Sequence, residues 1–192
     1  MVAYHGTVVG GLQTLKPYLT PGSNLKYPAV YLSTNKALSS IYIWNKQYKW
    51  MTFEIRDDGM PIYNESFKDC LPEFYSGVKG YIYTCEANFE IDEKIAIKHA
   101  VVSKEPVSVT DVDIVDDAYK QILQYEKDGM LIINRYESLS DERKIKDRNM
   151  VLSAIKGLDL LKGDHPLSSF VSAKFPELWD EALHNSGYQK GT

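Results

Sequence analysis

The chain has 192 residues, which fits one domain, or one domain with a small helical addition, and is long enough for a substantial hydrophobic core. Hydrophobic residues make up 44% of the chain and charged residues 25%, which excludes a disordered or collagen-like protein. The net charge of -4 argues against a general nucleic-acid coat protein. However, the first 50 residues contain five lysines and no Asp or Glu, so this segment favours an anionic ligand.

The first 112 residues contain short segments rich in β-branched and aromatic residues, which predict a mainly β region. The predicted strands cover residues 2–5, 29–33, 51–56, 80–86, 95–102 and 106–112. A short helix is expected over residues 12–19, where three leucines follow a Gly-Gly pair, and the turn Thr20-Pro21-Gly22 is expected to end it. A second helix is expected from Lys36 to about Trp44. Residues 57–79, which are punctuated by Gly and Pro, are expected to form an irregular insertion.

From residue 116 the spacing of apolar residues changes to the helical period, and Gly129 is expected to end the first of these helices. A charged stretch then leads into a second amphipathic segment, so the last third is predicted to be mainly helical. We therefore expect a core domain over residues 1–115. Residues 116–192 would form a helical C-terminal extension packed on that core.

The N-terminal segment has no apolar signal core, and no apolar run approaches the roughly 20 residues that span a bilayer. The expectation is a cytoplasmic protein without a membrane partner. Two cysteines are too few for a secreted disulfide scaffold of this size, so Cys70 and Cys85 are predicted to be free and buried. Because His99, His165 and His184 are scattered without further metal ligands nearby, no metal site is expected.

Two segments carry residues suited to binding a flat ligand. They are Tyr4-His5-Gly6-Thr7 at the end of the first strand, and Val30-Tyr31-Leu32-Ser33 followed by Ser39 and Tyr42. A histidine beside a glycine offers an imidazole next to backbone that a ligand can approach without meeting a Cβ atom. Two tyrosines can stack on the two faces of such a ligand.

These segments resemble the nicotinamide-binding elements of the His-Tyr-Glu ADP-ribosyltransferases, the superfamily of diphtheria toxin and the poly(ADP-ribose) polymerases. In that pattern a second Tyr follows the first by eleven positions and a Ser follows it by eight, as Tyr42 and Ser39 follow Tyr31. Bacterial rifamycin ADP-ribosyltransferases are also similar, with a turn like Pro21-Gly22-Ser23-Asn24 and a strand like Glu105-Pro106-Val107. The resemblance covers roughly residues 2–112 and implies an α+β fold with a split β-sheet core and short helices.

The resemblance also implies a role for each matching residue. His5 would donate a hydrogen bond to a hydroxyl of the nicotinamide ribose, and the backbone of Gly6 would hold the carboxamide together with Ser39. Tyr31 and Tyr42 would stack on the nicotinamide ring. The implied NAD-binding set is His5, Gly6, Thr7, Tyr31, Ser39 and Tyr42, and the implied catalytic set is His5, Tyr31 and Glu105.

The implied reaction is cleavage of the nicotinamide–ribose bond of NAD, which is consumed as a substrate, and transfer of ADP-ribose to an acceptor. Because the breaking bond leaves an oxocarbenium-like centre, the site needs a carboxylate near the ribose. Glu105 is the first choice, since it opens a strand after the two tyrosines. Asp92 and Glu93 are the rivals, since the rifamycin enzymes resemble the chain at that earlier loop. The sequence leaves these three open.

Two other functions stay open. The first is a catalytically inactive module of the same fold that binds NAD, ADP-ribose or a protein. The second is an RNA 2'-phosphotransferase, which is less favoured because the first 50 residues contain no Arg to surround a phosphate. The acceptor of a transferase could be a protein, a nucleic acid or a small molecule, and an antitoxin or host protein is a conceivable partner.

Overall fold

The computed structural model describes residues 1–19, 25–48, 50, 53–95 and 97–186. In chain order its elements are β1 (Val2–Thr7), β2 (Thr14–Leu15), β3 (Val30–Ser33), α1 (Lys36–Ser40), β4 (Phe53–Ile55), β5 (Pro61–Asn64), α2 (Cys70–Tyr75), β6 (Gly80–Glu86), β7 (Ala100–Ser103), β8 (Val107–Val115), α3 (Ala118–Lys127), β9 (Ile132–Asn134), α4 (Asp141–Gly157), α5 (Leu167–Lys174) and α6 (Pro176–Ser186). Short 3-10 helices occupy Tyr136–Ser138 and Leu160–Lys162. This mixture of strands and helices confirms the predicted α+β class.

Six strands form a curled antiparallel sheet in the order β2-β8-β6-β1-β3-β7. β7 is one edge of this sheet and β8 lies next to the opposite edge, yet only residues 104–106 separate the two strands in sequence. The sheet must therefore curl to bring its ends together. A small apolar core fills the concave face and draws on both ends, with Val101 of β7 and Val107 of β8 in one cluster with Ala3 and Leu32.

The convex face packs against the helices and forms the main core, which contains Ile82 of β6, Ile122 of α3 and Val151 of α4. A second, three-stranded sheet in the order β4-β5-β9 borders this core. Its strands β5 and β9 are parallel. Because β9 lies beyond residue 115, the predicted helical extension supplies a strand to a sheet that begins in the predicted core domain.

Several predicted elements match the structure. The predictions at 29–33, 80–86 and 106–112 correspond to β3, β6 and β8. α1 begins at Lys36 as expected, because the Asn35 side chain accepts a hydrogen bond from the Leu38 N–H (2.9 Å), but the helix ends at Ser40 instead of near Trp44. The strand predicted at 95–102 is shorter, since β7 begins only after His99, whose φ of 67° lies in the left-handed region.

The helix predicted over residues 12–19 is wrong. The segment contains the two-residue strand β2 and a single bridge between Tyr18 and Ala29. The reason is tertiary, because the Leu12 N–H donates to the Tyr83 hydroxyl (3.2 Å) and β2 pairs with β8. The leucines are therefore spaced along an extended chain, and the predicted turn at residues 20–22 lies outside the described residues.

The insertion at 57–79 is also more regular than predicted, since it contains β5 and α2. Proline is tolerated as the first residue of a strand, where Pro61 stands in β5. α2 has no side-chain cap, because Asp69 at its start lies in the left-handed region with a φ of 60° and makes no cap hydrogen bond. The buried carboxylate of Glu65 accepts from the Leu71 N–H instead (2.9 Å).

The predicted helical character of the last third is confirmed by α3 to α6, and α3 ends just before Gly129, which has a positive φ of 69°. Cys70 and Cys85 are free and buried, as predicted, and burial raises the pKa of each thiol to about 11. In the described part of the chain no helix is both long and apolar enough to cross a membrane.

Candidate functional site

The strands that carry His5 and Tyr31 lie side by side but are barely paired. In the described chain β1 and β3 share one residue pair, Tyr4 with Ser33. By contrast, β1 pairs with β6 along its whole length and β3 does so with β7. The ladder does not continue to Gly6 and Tyr31, so the two strands diverge toward the C-terminal end of β1.

The backbone of Gly6 points into this gap. Residues of an antiparallel strand direct their N–H and C=O groups to alternate neighbours. The Ala87 N–H donates to the Met1 carbonyl (3.2 Å), so the odd-numbered residues of β1 face β6 and the even-numbered ones face β3. Gly6 therefore directs one donor and one acceptor toward the place where β3 has moved away.

The His5 imidazole bridges the same gap, with its Nδ1 2.9 Å from the Tyr31 carbonyl oxygen. Because a carbonyl oxygen only accepts, Nδ1 carries the hydrogen and donates. Burial lowers the pKa of His5, which the hydrogen bond to Tyr31 only partly opposes, so the ring is neutral at pH 7. Its Nε2 is then an acceptor, suited to a hydroxyl that donates to it, whereas the family resemblance implies a donating His5.

Helix α1 lies directly against Gly6. A Cβ atom at this position would stand 1.9 Å from the carbonyl oxygen of Ser39, so only glycine lets the helix approach so closely. Ser39 is buried, and its hydroxyl donates to the Lys36 carbonyl (2.7 Å). The Ser39 oxygen therefore remains available only as an acceptor for a ligand N–H.

The two tyrosines have different surroundings. Tyr31 lies on the same face of the sheet as Gly6 and packs in a small cluster with Tyr27 and Ile95. Tyr42 follows the end of α1, remains 37% exposed and meets the edge of the Phe53 ring at a centroid distance of 6.5 Å. Desolvation by the surrounding protein raises the pKa of the Tyr42 hydroxyl. The contact with Phe53 has no signal in the sequence, because Phe53 belongs to the second sheet.

The three candidate acids differ in how they are held. Asp92 accepts hydrogen bonds from the Tyr27 hydroxyl and from the Lys94 N–H, and the Tyr27 bond is the main cause of its lowered pKa. The same bond raises the pKa of Tyr27 to about 12. Both Asp92 oxygens thus already have partners. Glu93 is exposed, and its carboxylate has no hydrogen bond or ion pair to the described residues.

Glu105 is exposed two residues beyond Ser103, which pairs with Val30 at the start of β3. This places Glu105 toward the open end of the gap. Its backbone is fixed, since its N–H donates to the Ser103 hydroxyl and its carbonyl accepts from it (3.2 and 2.8 Å). Its carboxylate contacts no described partner and is accessible to a ligand.

The remaining predicted features contribute less. Thr7 ends β1, and its hydroxyl accepts from the Val9 N–H (3.2 Å). Lys36 already pairs with Asp113 (2.8 Å), so its charge is partly neutralised, while Lys16, Lys26 and Lys46 are exposed and Lys49 lies outside the described residues. The described residues contain no cluster of three or more His, Cys, Asp or Glu side chains that could hold a metal ion.

Two surface cavities of about 500 and 520 Å³ lie beside α4, where Ile145 lines both. They do not include the residues of the β1–β3 gap. Comparisons with protein-family models, with curated proteins and with solved structures found no match. The chemistry of the candidate site therefore has to be inferred from its own geometry.

Proposed function

We propose that the chain is an NAD-dependent mono-ADP-ribosyltransferase whose nicotinamide site is the gap between β1 and β3. The observation that carries the proposal is the divergence of these strands at Gly6 and Tyr31. A free donor–acceptor edge of backbone, a neutral imidazole and an aromatic ring come together there. These groups match a nicotinamide riboside, which offers a carboxamide, a flat ring and sugar hydroxyls.

The carboxamide fits three groups in this gap. Its oxygen accepts from the Gly6 N–H, and its NH2 group donates to the Gly6 carbonyl and to the Ser39 oxygen. The nicotinamide ring stacks on Tyr31, with Tyr42 as the second aromatic wall. His5 Nε2 accepts a hydrogen bond from a ribose hydroxyl, which fixes the sugar relative to the ring.

The bond that breaks joins ribose C1' to the ring nitrogen, and its electron pair leaves with nicotinamide. The ribose carries the resulting positive charge, which the Glu105 carboxylate stabilises. The acceptor then attacks C1' and loses its proton to Glu105. Asp92 is less suited to this role because Tyr27 and Lys94 already occupy its oxygens.

A binding module without catalysis is the second candidate, and one observation favours it. No described residue holds the Glu105 carboxylate near the gap, so the described part of the chain does not orient the acid that catalysis needs. Such a module would bind NAD or ADP-ribose through the same backbone edge and tyrosine. It would not release nicotinamide.

The first test is nicotinamide release from NAD by the purified protein, with and without cell lysate as a source of acceptor. We expect release by the wild type, loss of at least about 100-fold on Tyr31→Ala, and a comparable loss in transfer on Glu105→Gln with NAD binding retained. Labelled NAD identifies the class of acceptor in the same reaction.

The matched controls are Tyr18→Ala, an exposed tyrosine outside the gap, and Glu86→Gln, an exposed carboxylate at the end of β6. Both are expected to keep full activity. A rise in melting temperature with NAD but no turnover would select the binding module. If NAD neither binds nor is cleaved, both candidates are wrong.

A further inference from the structure

Within the described residues, the outer edge of β8 is unpaired along most of its length. β8 pairs with β6 on one side from Val109 to Val115. On the other side β2 pairs only with Val107 and Ser108, and the Val109 N–H donates to the Gln13 carbonyl (3.0 Å). Beyond that point, at residues 110–115, no strand of the described chain pairs with this edge.

The chain that would cover the edge is held elsewhere. The segment before β2 turns away because the Leu12 N–H donates to the Tyr83 hydroxyl (3.2 Å), which itself donates to the Val9 carbonyl (3.0 Å). Gly10 lies so close to the Tyr81 ring that a Cβ atom there would stand 2.6 Å from it. Residues 9–12 are thus fixed on the concave face of the sheet and do not cover the edge.

The unpaired edge presents backbone groups for another strand. The odd-numbered residues of β6 form hydrogen-bonded pairs with the odd-numbered residues of β1. The even-numbered residues Gly80, Ile82 and Thr84 therefore direct their backbone N–H and C=O groups toward β8. Their partners in β8 are Val115, Asp113 and Asp111. The N–H and C=O groups of the residues between them, Val112 and Ile114, consequently point outward.

The side chains at this edge alternate in character. Val112 and Ile114 are 43% and 71% exposed on the concave face, beside Tyr83 and Tyr81. Asp111 and Asp113 lie on the opposite face. Asp113 pairs with Lys36, whereas Asp111 is exposed and has no ion pair within the described chain. A strand added here would meet apolar side chains on one face and carboxylates on the other.

These charges discriminate between possible occupants. A second copy of the chain, added antiparallel through Val112 and Ile114, would place Asp113 opposite Asp113 or opposite Asp111, and like charges directly opposite are destabilising. A strand that alternates apolar and basic residues would instead place Lys or Arg opposite these carboxylates. Open, apolar strand edges are sites where extended segments add to a sheet.

We propose that the outer edge of β8 at residues 110–115 binds an extended segment of a partner protein in which basic and apolar residues alternate. The segment forms hydrogen bonds with the backbone of Val112 and Ile114. Its apolar side chains cover these two residues, and its basic side chains pair with Asp111. This interaction does not depend on the proposed NAD chemistry, because it uses the opposite side of β6 from β1.

The test measures binding of a blocked synthetic heptapeptide that alternates lysine and valine, with a glutamate–valine peptide of equal length as its control. We expect the basic peptide to bind and the acidic one not to bind. Val112→Pro removes an outward N–H without breaking a bond to β6, and should weaken binding at least about tenfold. Asp111→Lys should weaken it about threefold or more, whereas Asp164→Lys, the same charge change at a distant exposed site, should not.

A second measurement does not depend on the folding of a variant. The basic peptide is prepared with N-methyl groups on alternate amides, in two sets that cover its two edges. One set should abolish binding and the other should not, because only one edge of the peptide faces β8. The proposal would be overturned if the two methylated sets had equal effects or if neither peptide bound. It would also be overturned if the chain associated with itself and Val112→Pro abolished that association.

Discussion

His5 links two features of the site that would otherwise be independent. Its Nδ1–H holds the Tyr31 carbonyl at the point where β1 and β3 diverge, so one side chain replaces the missing ladder bond. The same bond fixes the tautomer and leaves Nε2 as an acceptor. A neutral ring is essential to this arrangement, because a protonated imidazole would present a donor at both nitrogens.

Titration of His5 should therefore destabilise the protein at low pH. Its pKa lies below the ordinary value of 6.5 because burial disfavours the charged form. Above pH 6.5 both the folded and the unfolded chain hold a neutral ring. As the pH falls below 6.5, the unfolded chain takes up a proton first, so the free energy of unfolding decreases until the folded-state pKa is passed. Urea unfolding between pH 5 and 8 measures this slope.

His5→Gln should reduce the slope, since it removes the group that titrates differently in the two states. Asn149→Gln, at an exposed position of α4 and without a titratable group, serves as the control and should leave the slope unchanged. An identical pH dependence in His5→Gln and the wild type would contradict a buried, neutral His5.

At the scale of elements, the position of α1 depends on the absence of a side chain on β1. The helix rests with its Ser39 carbonyl against Gly6, which places Tyr42 beside Phe53 and Ser39 over the gap. The contact is between two backbones, so neither partner can yield by changing a rotamer. The geometry of the candidate site is thus set by one glycine.

Gly6→Ala should consequently displace α1 and destabilise the protein by about 1–3 kcal/mol or more, as overpacking does in other cores. The matched control is Gly157→Ala in the last turn of α4, where a Cβ atom meets nothing and should stabilise by about 0.5–1 kcal/mol. Guanidinium unfolding compares the two variants. A Gly6→Ala protein as stable as the wild type would show that α1 does not pack as described.

Elements with a strong local pattern were predictable from the sequence. β6 is rich in Tyr, Ile and Thr, which favour strands, and α3 has both an Asp117 cap and a glycine after its end. The helix predicted at 12–19 failed because Tyr83, some 70 residues away in sequence, binds Leu12. Local spacing carries no information about such a partner.

The candidate site was predictable in its residue types but not in its geometry. The order of His5, Tyr31 and Tyr42 is visible in the sequence. The same order would also fit a continuous ladder of hydrogen bonds between β1 and β3, so it does not predict the gap. The divergence of the strands and the pairing of Asp92 with Tyr27 depend on contacts between distant segments. Neither has a sequence signature.

At the scale of the whole molecule, a chain of polar contacts joins the last third to the earlier part. Arg143 of α4 donates to Asp147 (3.1 Å) and to Glu54 of β4 (3.3 Å). Glu54 accepts from Asn64 of β5 (3.2 Å), which accepts in turn from Asn134 of β9 (2.8 Å). The helical third and the second sheet are therefore expected to unfold together.

This network fixes the position of α4 relative to the second sheet more than it raises the free energy of unfolding. Burial raises the pKa of Asp147, and Arg143 offsets that effect only in part. One Asp147 oxygen is buried without a hydrogen-bond partner in the described chain. A buried ion pair of this kind often stabilises less than well-packed apolar residues of similar volume, whereas the loss of one partner is costly.

Arg143→Met should therefore lower the free energy of unfolding by about 3 kcal/mol, since it leaves the Asp147 carboxylate buried and uncompensated. The double variant Arg143→Met with Asp147→Leu should recover most of this loss, because both charges are then gone. Arg148→Met in the same helix removes a more exposed pair with Glu181 and should cost less than about 1 kcal/mol. Urea unfolding of the wild type, of Arg143→Met and Asp147→Leu alone and of the double variant forms the cycle. An additive double variant would show that the two residues do not interact in the folded chain.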